Sequence, residues 1–117
     1  MSETLVLELD AFRGFTNERI FISCGTQGKH APNSKHYTGN AVDIIFPGIF
    51  PGDLPDLYFA ASRFVFTGIG VYPYWEINGV RHGGLHLEIS EEKPRRLWMR
   101  AENDYLPLTF QNLKLHC

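Results

Sequence analysis

Apolar residues recur along the chain at two spacings, and these spacings predict both helices and strands. Leu5, Leu9 and Phe12 follow helical spacing, which predicts a short helix over residues 3–12 that ends at Gly14. A second helix is predicted after Pro51-Gly52-Asp53, where Asp53 is suited to cap the first turn. Its apolar positions again lie three or four residues apart, at Leu54, Leu57, Tyr58, Ala61 and Phe64 or Val65.

Strands are predicted where short apolar runs are bounded by turn residues. These runs are residues 19–23, 40–46, 68–72 and 85–89. Apolar and polar residues alternate most cleanly in the last run. Asn78-Gly79 indicates a tight turn, and residues 24–40 are rich in residues that favour loops. The order helix, strand, loop, strand, helix, strand, strand predicts an α+β fold with a small antiparallel sheet and flanking helices.

Composition narrows the class of protein. The chain has 117 residues, of which 44% are hydrophobic, so we expect one globular domain over residues 1–117. A formal charge of -2 lacks the basic character of nucleic-acid binding proteins, and no apolar run is long enough to span a membrane. The first residues do not resemble a signal peptide, so we expect a protein that is cytoplasmic at synthesis, with Cys24 and Cys117 reduced. We also expect a monomer.

Three residues form a candidate metal-ligand set. His36 and Asp43 flank Gly39, and Asp43 lies within an apolar strand, where a buried carboxylate needs a cation or a metal. His86 lies on an alternating strand, on the face opposite Leu85 and its apolar neighbours. Two His and one Asp are the kind of set that holds a catalytic zinc with one position open. Spacing alone leaves a loop histidine, a capping carboxylate and a sheet histidine as alternatives.

The sequence around these residues adds a resemblance. Residues 34–44 resemble the S-x-H-x-x-G-x-A-x-D motif of the zinc D-alanyl-D-alanine carboxypeptidase and L-alanyl-D-glutamate endopeptidase family, which shares its fold with the hedgehog signalling domain. Residues 68–73 look like the family's G-I-G-x-Y segment, residues 85–88 like its last ligand strand, and residues 96–98 like its R-x-W segment. With residues 20–25, the resemblance covers roughly residues 18–100 in the family's order.

The resemblance implies zinc bound by His36, Asp43 and His86, and hydrolysis of peptide bonds in peptidoglycan. Many relatives have an acidic residue three positions before the last ligand, where this chain has Gly83. The nearest candidates for the general base are His82 and Glu88. His82 has the alternative of a solvated loop residue, and Glu88 that of orienting a zinc ligand.

A second departure concerns the group that binds a substrate carboxylate. Relatives commonly have S-G-Y-R before the first ligand, and this chain lacks that arginine. Lys29, Lys35 or Arg81 could replace it, or these could be ordinary exposed charges, and Arg95-Arg96 is interpreted as a solvated turn.

These features together predict a zinc peptidase that acts on peptidoglycan stem peptides or cross-links, as a carboxypeptidase or an endopeptidase. The missing signal peptide fits a phage or prophage lysis enzyme that is released to the cell wall, or a bacterial protein that is exported another way. A non-catalytic zinc-binding module of the same fold is the main alternative, and a metal-free structural protein is a weaker one.

Overall fold

A computed structural model describes residues 3–16, 20–24, 40–90 and 95–117. This part of the chain forms a mixed α/β fold with three helices, which are α1 (Glu3–Thr16), α2 (Leu54–Ala61) and α3 (Phe110–His116). Its strands are β1 (Phe21–Cys24), β2 (Ala41–Ile45), β3 (Gly68–Tyr72), β4 (Glu76–Ile77), β5 (Val80–Arg81), β6 (Gly84–Glu88), β7 (Arg96–Arg100) and β8 (Tyr105–Pro107).

Six of these strands form one sheet in the order β1-β2-β6-β3-β7-β8. The sheet is mixed, because β3 and β7 run parallel whereas the other pairs are antiparallel. The prediction of an antiparallel sheet is therefore wrong at this pair. Strand β6 has β2 and β3 on its two sides, and β7 pairs with the side of β3 that faces away from β6. Because β7 reverses the direction of β6, it runs in the same direction as β3.

One face of the sheet is covered by α1 and α2. Leu5, Leu9 and Phe12 of α1 are buried against the sheet, as their helical spacing predicts. The ring of Phe12 meets those of Phe46, Phe64 and Phe66 edge to face, with centroids 5.8–6.2 Å apart. The strands contribute alternate buried residues to the same core, namely Val42, Ile44, Ile69, Val71, Leu85 and Leu87.

The predicted elements differ from the observed ones mainly at their ends. Helix α1 continues through Gly14 to Thr16, and α2 ends at Ala61, before the predicted apolar positions at 64 and 65. Asp53 precedes α2 as predicted, but its carboxylate accepts a hydrogen bond from the backbone N–H of Phe50 (3.3 Å). Strand β3 has the predicted bounds.

The Asn78-Gly79 turn is confirmed. It joins β4 to β5, and both residues have positive φ, at 51° and 80°, as a tight hairpin turn requires. Strands β7 and β8 and helix α3 were not predicted, because each is short and residues 95–117 show no clear apolar period. Among the described residues, no helix combines the length and the apolar character that a membrane crossing needs.

The other face of the sheet carries polar and aromatic side chains. Strand β3 presents Gly68 and Gly70 to this face, between the larger side chains of its two neighbours. A Cβ on Gly70 would lie 2.6 Å from the indole of Trp98, and a Cβ on Gly68 would collide with the side chain of Glu88. The two glycines therefore let side chains from β6 and β7 lie across β3.

We expect Gly70→Ala to destabilise the fold by about 1–3 kcal/mol, because the indole of Trp98 must move to admit a methyl group. The measurement is the free energy of unfolding from urea denaturation. Gly14→Ala is the control, since nothing lies within 4 Å of its Cβ in α1 and alanine favours the helix by about 0.5–1 kcal/mol. Equal stability of the Gly70→Ala variant and the unchanged protein would contradict this packing.

Candidate functional site

Asp43 and His86 face each other across two central strands. They are directly paired in the register of β2 and β6, so their side chains lie on the same face of the sheet. The Nδ1 atom of His86 lies 2.7 Å from Oδ1 of Asp43, and only 12% and 16% of the two side chains are exposed. The structure therefore brings together the two predicted ligands that belong to its described residues.

Glu88 contacts the other side of the same imidazole. It lies two residues after His86 in β6, and alternation puts both on one face. Its Oε1 is 3.0 Å from Nε2 of His86, and both of its carboxylate oxygens are 3.3 Å from Nη2 of Arg96. The Glu88 side chain is only 6% exposed. The ring of His86 is thus held between two carboxylates.

This arrangement concentrates negative charge around the ring. Burial alone would lower the pKa of His86, but its hydrogen bonds to Asp43 and Glu88, together with their charges, raise that pKa to about 9. Burial would raise the pKa of Glu88, yet its contacts with His86 and Arg96 bring that pKa below the ordinary value. At neutral pH the protonated ring of His86 and the guanidinium of Arg96 therefore balance the charges of the two carboxylates.

Aromatic side chains form a wall beside His86. The ring centroid of Trp98 lies 5.2 Å from that of His86, and its Nε1 donates a hydrogen bond to the hydroxyl of Tyr72 (3.1 Å). The ring of Tyr72 lies 6.5 Å from His86 and stacks on Trp75 at 4.2 Å. Burial raises the pKa of Tyr72 to about 12, so its hydroxyl keeps its proton at neutral pH. Tyr72 and Trp98 thus border the site on the side of the His86 ring.

The partners of His82 differ from those of His86 and Glu88. Its Nδ1 donates a hydrogen bond to the carbonyl of Ile49 (2.7 Å), and its ring stacks on Phe50 with centroids 5.5 Å apart. The residue is only 9% exposed, so the alternative of a solvated loop histidine is wrong. Of the two predicted catalytic residues, Glu88 is the one in hydrogen-bond contact with His86.

The predicted anion-binding residues divide between described and undescribed parts of the chain. Lys29 and Lys35 lie outside the described residues. Arg81 is committed to structural contacts, since its Nε donates to the carbonyl of Pro73 (2.8 Å) and its guanidinium lies 4.2 Å from the ring centroid of Tyr74.

Within the described ranges, no three His, Cys, Asp or Glu side chains form a metal-binding group. The predicted third ligand, His36, is not in those ranges. The sequence predictions missed the part played by Arg96, which they assigned to a solvated turn. Arg96 instead begins β7 and pairs with Gly68 in the parallel register. That pairing brings it to Glu88.

Comparisons of the chain with protein-family models, with curated proteins and with solved structures find no match. Its function is therefore inferred from its motifs and from the geometry described above.

We expect His82→Ala to lower the free energy of unfolding by about 1–3 kcal/mol, because the buried carbonyl of Ile49 loses its donor and Phe50 loses its stacking partner. Thermal and urea denaturation measure this change. Asn103→Ala, at an exposed position, is the control and should change stability by less than about 0.5 kcal/mol. A variant at position 82 as stable as this control would show that His82 is not held as described.

Proposed function

We propose that this chain is a zinc-dependent peptidase with the fold of the D-alanyl-D-alanine carboxypeptidases, the L-alanyl-D-glutamate endopeptidases and the hedgehog domain. Its substrates are peptide bonds of peptidoglycan stem peptides or cross-links. The observation that carries this proposal is the contact between Asp43 and His86, which are 43 positions apart in the sequence and 2.7 Å apart in the fold. The family motifs single out both residues as ligands.

The donor set fits zinc, which binds imidazole nitrogen and carboxylate oxygen. Oδ1 of Asp43 and Nδ1 of His86 face each other, whereas Nε2 of His86 faces Glu88. Asp43 and Nδ1 of His86 would therefore hold the ion together with His36. When bound, zinc supplies a hydroxide nucleophile at neutral pH and polarises the carbonyl of the peptide bond.

Glu88 positions His86 in this proposal. A metal-binding histidine commonly donates its other ring N–H to a carboxylate, which fixes the tautomer and the orientation of the ring. Glu88 is buried and is itself held by Arg96, so its carboxylate cannot turn away without leaving both partners. This environment favours a fixed orienting group over one that exchanges protons with the substrate.

His82 is the proposed proton-transfer residue. A carbonyl oxygen can only accept a hydrogen bond, so Nδ1 of His82 carries the proton that Ile49 accepts. In neutral His82 the basic nitrogen is then Nε2. In this proposal, Nε2 of His82 would accept a proton from the attacking water and return it to the leaving amine.

The geometry at Gly83 supports a second candidate, a zinc-binding module without catalysis. Relatives often have an acid at this position, but here φ is +73° and a Cβ would lie 2.5 Å from Cδ1 of Leu54 and 3.1 Å from Cα of Pro73. The backbone of this chain therefore has no room for that acid. A module of this kind would bind zinc but would not cleave any type of peptidoglycan tested.

We expect the purified protein to hold one zinc ion and to release stem peptides from peptidoglycan, with a loss of turbidity that a chelator prevents. Asp43→Asn and His86→Ala should each lose most of the zinc, because each removes one donor. His116→Ala is the matched control, since that histidine contacts Tyr74 in another part of the fold. Unchanged zinc contents in both the Asp43→Asn and the His86→Ala variants would contradict the proposed zinc site.

Substitutions at Glu88 and His82 should have different effects on zinc and rate. We expect Glu88→Gln to weaken zinc affinity about 10–100-fold, because the orienting carboxylate loses its charge. We expect His82→Ala to keep zinc and to lower kcat by about 10²–10⁴. Competition with a chromogenic chelator measures the affinity, and mass spectrometry of released peptides measures the rate. Circular dichroism confirms that each variant is folded at the assay temperature. The reverse pattern would assign the general base to Glu88.

A further inference from the structure

Arg96 lines a surface pocket that shares aromatic residues with the wall beside His86. The pocket has a volume of about 480 Å³. Its lining residues are Tyr72, Arg96, Leu97, Trp98 and Tyr105. Two of them, Tyr72 and Trp98, also form the wall beside His86. A molecule in this pocket would therefore lie against the same aromatic rings that border the proposed zinc ligands.

The guanidinium of Arg96 keeps donors that Glu88 does not use. Both contacts with Glu88 are made by Nη2, and an arginine has five N–H donors in a planar fork. The Arg96 side chain is 58% exposed, and its Cζ lies 5.4 Å from the ring centroid of Trp98. Glu88 and Trp98 thus hold the group in place while part of it faces solvent. A planar, oriented guanidinium is well suited to bind a carboxylate through paired hydrogen bonds.

Two other arginines of the sequence analysis, Arg95 and Arg81, are committed elsewhere. Arg95 donates through Nε and Nη2 to the carbonyls of Phe66 and Phe64, both at 2.9 Å. Arg81 donates to the carbonyls of Pro73 and His116. These two side chains donate hydrogen bonds to backbone carbonyls, whereas Arg96 contacts the carboxylate of Glu88 at the candidate site.

We propose that Arg96 binds a carboxylate of the substrate residue next to the cleaved bond, with that residue resting on the aromatic rings of the pocket. This inference rests on the proposed peptidase function and names its substrate class, a peptide with a free carboxylate close to the scissile bond. In the stem peptide, that carboxylate is either the C-terminal carboxylate of a D-alanyl residue or the α-carboxylate of a γ-linked D-glutamyl residue.

Two pairs of probes test the proposal by isothermal titration with the full-length chain. The first pair is acetyl-L-lysyl-D-alanyl-D-alanine and its C-terminal carboxamide. The second pair is L-alanyl-γ-D-glutamyl-L-lysine amide with either a carboxylate or a carboxamide on the α-carbon of the D-glutamyl residue. We expect the carboxylate member of one pair to bind about 10–100-fold more tightly than its amide, the worth of one charge-assisted contact. The pair that shows this preference identifies the source of the carboxylate.

Variants of Arg96 separate direct binding from an effect through Glu88. Arg96→Gln should reduce the preference for carboxylate to about twofold or less, and Arg96→Lys should restore part of it, because lysine keeps the charge without the planar fork. Arg63→Gln is the matched control: Arg63 is an exposed arginine over Phe15, and its loss should leave the preference unchanged. Circular dichroism confirms the fold of each variant.

Three results would overturn the proposal: no carboxylate preference in either pair, a preference that survives Arg96→Gln, or an equal loss of affinity for the acid and the amide in that variant. Cleavage of the probes and of peptidoglycan is followed in parallel by mass spectrometry. A carboxylate preference that depends on Arg96 without any cleavage would sink the peptidase and leave this inference intact. Cleavage without a carboxylate preference would support the peptidase and overturn the proposed role of Arg96.

Discussion

The contact between Asp43 and His86 depends on the register in which β2 pairs with β6. Side chains alternate between the two faces of a strand, so a slip of one residue would send one of the pair into the core. The register is held by the apolar residues on the opposite face, where Val42 and Ile44 are fully buried against α1 and α2. The hydrophobic core therefore determines which polar groups meet on the other face.

Strand β3, which separates β6 from β7, also determines which polar side chains can meet on this face of the sheet. Gly68 and Gly70 leave a shallow channel across this strand, in which Glu88 approaches Arg96 and Trp98 approaches His86. Larger residues at these two positions would keep the strands paired but would force their side chains apart. The glycines of the G-I-G-x-Y segment thus have a steric role: they allow groups from three strands to form one polar cluster.

Local pattern predicted most of the described fold, because helical spacing and strand alternation are properties of short segments. It predicted α1, β3 and the Asn78-Gly79 turn closely. It did not predict β7 or its direction, because the parallel pairing with β3 joins segments that are distant in the sequence. The same limit explains the misinterpretation of Arg96, whose importance comes from lying beside Glu88 across β3 and not from its sequence neighbours.

The sequence motifs indicate which residues belong to the site, and the geometry indicates what each of them does there. The motifs single out Asp43 and His86 but leave the role of Glu88 open between catalysis and orientation. Its burial and its two fixed partners favour orientation, because a group that transfers protons must change its charge, and Glu88 is held charged by His86 and Arg96. In the proposed substrate complex, Arg96 would contact both Glu88 and the substrate carboxylate. Its contact with Glu88 fixes the guanidinium in place, and a fixed guanidinium loses less freedom when it binds a second carboxylate. The polar cluster and the pocket are therefore joined through this arginine, which contacts Glu88 and also lines the pocket.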